Sequence, residues 1–185
     1  MKFLGFIVGP ERSGTTITAA YLSTHPDIYV INDPHFFNFF LQAVPSRFNQ
    51  LKSENKLPSI TDCSYLFADY WISELRHSIN TTYQWYNRWD EFEGDPVSVK
   101  SFFASFDFLV SRKHLSLSDL FYKFYLSLIP RQFLNSKKYF IVKLPDLGRM
   151  LRYLRIFYTD IPVVFNVRHP VLNIASIIIP NKDRG

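Results

Sequence analysis

Apolar positions along the chain follow two spacings, and the switch between them marks the elements. Residues 3–8 form a short unbroken apolar run that stops at Gly9, the pattern of a strand buried in a parallel sheet. A helical stretch follows, opened by Ser13 or Gly14 and reaching about Ser23. His25-Pro26-Asp27 ends it, because proline cannot continue a helix. Residues 28–31 are β-branched and aromatic, a second strand. Asn32-Asp33-Pro34 then turns the chain into an aromatic, helix-like stretch at 34–43.

From residue 44 to 136 the apolar positions recur at helical intervals. Leu66, Tyr70, Ile72 and Leu75 mark one stretch, and Leu117, Leu120, Phe121, Phe124 and Leu128 another. Ser116, Ser118 and Asp119 are placed to cap the latter. This region is expected to be a helical insertion within a single domain spanning 1–185, with linkers at 53–59 and 91–97. Strand character returns at 139–143, helix at 147–158 and strand at 163–167. Pro170 sits near the first turn of a last helix that reaches residue 179. The order β-α-β, helices, β-α-β-α predicts an α/β fold, a three-layer parallel sheet. In such sheets ligands gather at the carboxyl ends of the strands. Gly9, Asp33, Lys143 and Arg168 all fall there.

Composition adds a few limits. At 185 residues the chain is long enough for one domain with a proper core. Aromatic residues reach 18%, with 19 Phe and 11 Tyr, which suits large buried side chains or an aromatic pocket. The net charge of +5 fits an anionic ligand, but no basic run points to nucleic acid. Cys63 is the only cysteine, which excludes an intramolecular disulfide and a Cys-rich metal site. The apolar stretch at 174–179 is far short of the ~18 residues of a membrane span. No signal peptide is legible at the N-terminus, so a cytoplasmic setting is expected and the sequon at Asn80-Thr81-Thr82 reads as chance.

The chemistry concentrates at Gly9-Pro10-Glu11-Arg12-Ser13-Gly14-Thr15-Thr16. Strand, glycine-bracketed turn and helix together form a phosphate-binding loop, in which backbone amides and the helix N-terminus face an anion. The nucleotide triphosphatase signature is G-x-x-x-x-G-K-[ST]. Gly9 and Gly14 keep its spacing, but Thr15 stands where the lysine belongs. A loop with Arg12 and without that lysine suits a phosphate ester other than ATP or GTP. Glu11 is expected to point out to solvent or to pair with a basic residue, since a carboxylate facing phosphates repels them.

A second segment, Val167-Arg168-His169-Pro170, is followed by Ser176 eight residues after the arginine. Eight residues of helix span about 12 Å, so the serine does not face the arginine automatically. Arginine offers a planar donor fork for phosphate and serine one further donor. The two segments together resemble the sulfotransferases that use 3′-phosphoadenosine 5′-phosphosulfate. Gly9 to Thr16 matches that family's G-x-x-[RK]-[ST]-G-T-[ST], and Arg168, Pro170 and Ser176 match its R-x-P with a later serine. Lys143-Leu144-Pro145 is similar to its K-T-P element, and His25-Pro26-Asp27 is a phrase frequent in bacterial and Golgi-type members. The resemblance covers residues 1–43 and 138–180.

What the resemblance implies is specific. Gly9, Arg12, Ser13, Gly14, Thr15 and Thr16 would form the site of the 5′-phosphosulfate, and Arg168 and Ser176 that of the 3′-phosphate. Arg12 would stabilise charge on the bridging oxygen as the sulfuryl group leaves. Lys143 reads either as a solvated strand end or as a cation on the sulfuryl group. Asp33, in Asp33-Pro34-His35-Phe36-Phe37, stands where related members carry a glutamate base, and it also suits the cap of a helix starting at Pro34. His35 and Asp146 are the reserve bases, and His169 reads as positional. No metal is expected. The acceptor is expected to be a small molecule or carbohydrate with a hydroxyl or amine, received in part by the middle region. There Trp71, Trp85 and Trp89 read as core or as an acceptor groove, and Asp90, Glu91 and Glu93 as a solvated loop. Two rivals remain, a small-molecule P-loop kinase and a non-catalytic nucleotide-binding homologue. Family members usually continue past the second phosphate segment, so an end at Gly185 reads as a C-terminal truncation.

Overall fold

The computed structural model describes residues 1–32, 116–145 and 160–178 continuously, the last four by backbone alone. It also describes positions 34, 39–40, 49–50, 53–54, 73, 75–78, 80–81, 101–106, 108, 151, 154–155 and 158. The described strands are β1 (Lys2–Val8), β2 (Ile28–Asn32), β3 (Tyr139–Leu144) and β4 (Val163–Phe165). The helices are α1 (Thr15–Ser23), α2 (Leu117–Leu128), α3 (Arg131–Ser136) and α4 (Pro170–Ile178). The strands form one parallel sheet in the order β2-β3-β1-β4. β4 is shorter than the predicted strand: Asn166 still bonds to β1, but Arg168 lies three residues past the strand end.

Strand alternation separates two cores. Phe6 and Val8 of β1, with Phe140 and Val142 of β3, face α2, which contributes Phe121, Phe124, Tyr125 and Leu128. Ile7, Val30 and Ile141 face the other way, onto Ala19 of α1. Helices thus cover both faces, the three-layer arrangement that the element order predicts. Much of the aromatic content fills the first core. Phe3 stacks on Phe140 at 5.0 Å and meets Phe6 edge-on at 4.9 Å, and Phe6 meets Tyr158 edge-on at 5.3 Å. Burial pushes the Tyr158 phenol above its ordinary pKa, and the charge of Asp119 adds to the shift.

Local chemistry fixes the ends of these elements. Ser116 caps α2 by accepting a bond from the Asp119 amide at 3.1 Å, while its hydroxyl donates to the Asp119 carboxylate at 2.6 Å. Gly5 leaves room for a neighbouring backbone: a Cβ there would lie 2.1 Å from the Pro162 carbonyl oxygen, which accepts a bond from the Phe6 amide at 3.0 Å. His25-Pro26-Asp27 works at the amino end of the sheet, away from the loop. The Asp27 amide donates to His25 Nδ1 at 3.1 Å. Its carbonyl accepts from the amides of Lys138 and Tyr139, both at 3.0 Å, and its carboxylate pairs with Lys138 at 3.2 Å. That triplet therefore joins the α1–β2 turn to the start of β3, a structural role.

The strand order also places a crevice. β1 and β3 are neighbours, but the chain leaves β1 toward β2 and leaves β3 toward β4, in opposite directions. Such a switch point opens a cleft between the two carboxyl ends.

Candidate functional site

Residues 9–14 leave the carboxyl end of β1 at that switch point. The Gly9 amide donates to the Pro145 carbonyl at 3.1 Å, continuing the β1–β3 ladder by one bond. The Ser13 amide donates to the Pro10 carbonyl at 3.1 Å, closing a tight turn. Arg12 has φ 62° and Gly14 φ 97°, both in the left-handed region. That region is free to glycine and uncommon for arginine, so the loop holds Arg12 in a strained conformation. Gly9 permits a close approach instead, since a Cβ there would lie 2.6 Å from both the Asn166 carbonyl oxygen and Ser13 Oγ.

α1 starts at Thr15 with no side-chain cap and no acidic residue in its first turn. The first amides of a helix have no intrahelical partners and carry partial positive charge. Ser13 is 6% exposed, and its Oγ has no hydrogen-bond partner among the described residues. A buried hydroxyl without a partner is costly. The turn therefore offers a donor hydroxyl beside the uncapped amides, a donor set suited to an anion.

Two more cations reach this loop from elsewhere. Lys143 of β3 stands opposite Ile7 and Asn32 in the ladders and is only 5% exposed. Its Nζ donates to Thr16 Oγ1, in the first turn of α1, at 3.3 Å. The solvated reading of Lys143 is thereby excluded. The loop has a threonine in place of the triphosphatase lysine, yet an ammonium group reaches the same helix end from the adjacent strand. Arg168, exposed beyond β4, donates from Nη1 to the Arg12 carbonyl at 3.3 Å. The two cationic segments, 156 positions apart in sequence, are thus in direct contact.

A family model, described as the sulfotransferase family, matches residues 6–180. The chain belongs to that family. A search of curated proteins finds no match, nor does a search of solved structures. The structure brings Gly9, Arg12, Ser13, Gly14, Thr15, Thr16, Lys143 and Arg168 into one region. Thr15 is buried, and Thr16 and Arg12 are exposed at the rim. Glu11 is exposed.

Other residues singled out in the sequence fall differently. Ser176 is on α4, but its side chain lies outside the described residues, and so do Asp33, His35, Asp146, Cys63, the three tryptophans and the acidic cluster at 90–93. Asp33 follows Asn32, the β2 residue opposite Lys143. His169 is exposed, and its carbonyl accepts from the Asn173 amide at 2.9 Å, in the first turn of α4. No set of three or more His, Cys, Asp or Glu among the described residues could hold a metal. None of their helices is long and apolar enough to cross a membrane.

Asn166 is the site residue that sequence reasoning missed. Its amide donates to the Val8 carbonyl at 2.8 Å, and its Nδ2 donates to Thr18 Oγ1 on α1 at 2.6 Å. A signal existed: it is the polar interruption in the apolar run 163–167, two residues before Arg168.

Proposed function

We propose that this chain transfers a sulfuryl group from 3′-phosphoadenosine 5′-phosphosulfate to a hydroxyl or amine of a small-molecule or carbohydrate acceptor. The observation that carries the reading is the contact of Arg168 with the Arg12 backbone beside the uncapped α1 terminus. It supports a clamp for two anionic groups, where a simple phosphate loop serves one.

In this reading the amides of residues 14–16, with the Ser13 and Thr16 hydroxyls, hold the 5′-phosphosulfate. Arg168 and Ser176 hold the 3′-phosphate. Lys143 places a cation on the sulfuryl oxygens, and Arg12 one on the bridging oxygen. Both matter most as charge builds on leaving, so their contribution falls mainly on the transition state. Attack proceeds in line, as in phosphoryl transfer, and positioning supplies much of the rate. Asp33, next to the β2 end opposite Lys143, takes the acceptor's proton.

Two substitutions test the assignment. Arg168→Ala is expected to weaken adenosine 3′,5′-bisphosphate at least roughly tenfold, the value of a charge-assisted contact, and adenosine 5′-phosphate far less. Titration calorimetry with both nucleotides reads this, and equal losses would contradict the 3′-phosphate role. Asp33→Asn is expected to cut turnover by about 10²–10⁴, the usual range for a general base, at nearly unchanged nucleotide affinity. A fully active Asp33→Asn enzyme would remove Asp33 from the mechanism.

A further inference from the structure

The loop and the β4 end come from opposite ends of the sequence, and one side chain joins them. Asn166 holds the chain on either side of the loop. Its amide bonds the carbonyl of Val8, the residue before Gly9. Its Nδ2 bonds Thr18, whose own amide closes α1 onto the Gly14 carbonyl at 3.0 Å. Its Cβ and carbonyl oxygen also pack over Gly9, at 3.2 and 2.6 Å from where a Cβ would stand. Two residues on, Arg168 bonds the Arg12 carbonyl inside the loop. A three-residue stretch therefore contacts the loop before, within and after it.

Stability alone does not call for asparagine here. Asn166 directly follows Val163, Val164 and Phe165, the apolar residues of β4. Asn166 Oδ1 is buried with no partner among the described residues, a cost that an apolar side chain would not carry. What asparagine supplies, and leucine cannot, is the bond to Thr18.

We propose that Asn166 is a positioning residue: it anchors the loop to the β4 end through Thr18 and thereby fixes the spacing between the two anion sites. The spacing part rests on the bisphosphate reading above; the anchoring part does not. Asn166 touches neither anion in this role. A preorganised spacing benefits a ligand that spans both sites and leaves a ligand of one site nearly indifferent.

The experiment compares the wild-type chain with Asn166→Leu, Thr18→Val and Thr18→Ser. Calorimetry gives the affinity ratio of adenosine 3′,5′-bisphosphate to adenosine 5′-phosphate, and amide hydrogen exchange without ligand follows residues 9–18. In Asn166→Leu and Thr18→Val the ratio is expected to fall about tenfold, with 5′-phosphate affinity within roughly threefold of wild type. Thr18→Ser, which keeps the acceptor hydroxyl, should retain the wild-type ratio. The melting temperature of Asn166→Leu should stay level or rise, which a merely structural role would not allow. A ratio unchanged in Asn166→Leu, or lowered as far by Thr18→Ser as by Thr18→Val, overturns the proposal. If the wild type binds neither nucleotide, the bisphosphate reading and the spacing role fall together, and exchange decides the anchor. Faster exchange confined to residues 9–18 in Asn166→Leu and Thr18→Val upholds it, and unchanged exchange overturns it.

Discussion

Gly9→Ala is expected to remove nucleotide binding, with a loss of roughly a hundredfold or more, equivalent to about 2.7 kcal/mol. The new methyl group would stand 2.6 Å from the Asn166 carbonyl oxygen and 2.6 Å from Ser13 Oγ. The serine can rotate away, but the backbone oxygen can move only with the chain that leaves β4. Shifting it strains the bond from the Asn166 amide to the Val8 carbonyl, and with it the approach of β4 to β1. Overpacking of this kind costs about 1–3 kcal/mol, which lowers the melting temperature by a few degrees in a domain of this size. Calorimetric titration with adenosine 3′,5′-bisphosphate, alongside a thermal melt, checks both effects. A Gly9→Ala protein with wild-type affinity would show that the loop closes on its ligand in another way.

The second large effect is on rate. Arg12→Ala is expected to lower turnover by about 10²–10³, the usual cost of removing one donor to a developing negative charge. Arg12 is exposed, and among the described residues its guanidinium makes no hydrogen bond that supports the fold, so stability should hardly change. Its backbone at φ 62° is as strained for alanine as for arginine, so the loop shape is retained. The natural acceptor need not be known, because slow release of adenosine 3′,5′-bisphosphate with water as acceptor follows the same bond breaking. A large fall in that rate at little-changed donor affinity marks a transition-state role. Loss of affinity in step with the rate would make Arg12 a binding residue only.

The two ends of the chain were the most legible in the sequence. The run at 3–8, its stop at Gly9 and the Thr15 substitution lead directly to β1, the loop and the uncapped α1, because buried parallel strands and glycine turns leave local signatures. What local pattern cannot show is which strand neighbours which. Lys143 at a strand end reads as solvated or functional with equal ease. Only the β3–β1 pairing places it under α1 and against Thr16. The same holds for Asn166, whose partners Val8 and Thr18 are at the far end of the chain. The apolar pattern alone puts Arg168 at a strand end. β4 stops at Phe165, and Arg168 reaches the loop from the extended segment beyond it. For the helical stretch α2 the Ser116–Asp119 cap was legible, because capping is decided within one turn.

The proposed two-anion clamp would take a 3′-phosphorylated nucleotide in preference to a triphosphate. It is tested most directly by titrating the protein with adenosine 3′,5′-bisphosphate and, in parallel, with ATP and magnesium, while following the melting temperature. A ligand of the folded state raises that temperature in proportion to RT ln(1 + [L]/Kd), so at 100 times Kd the gain is about 2.7 kcal/mol. The bisphosphate should raise it by several degrees at millimolar concentration, and magnesium ATP by much less. An absent bisphosphate shift, or a larger one with magnesium ATP, would contradict the clamp.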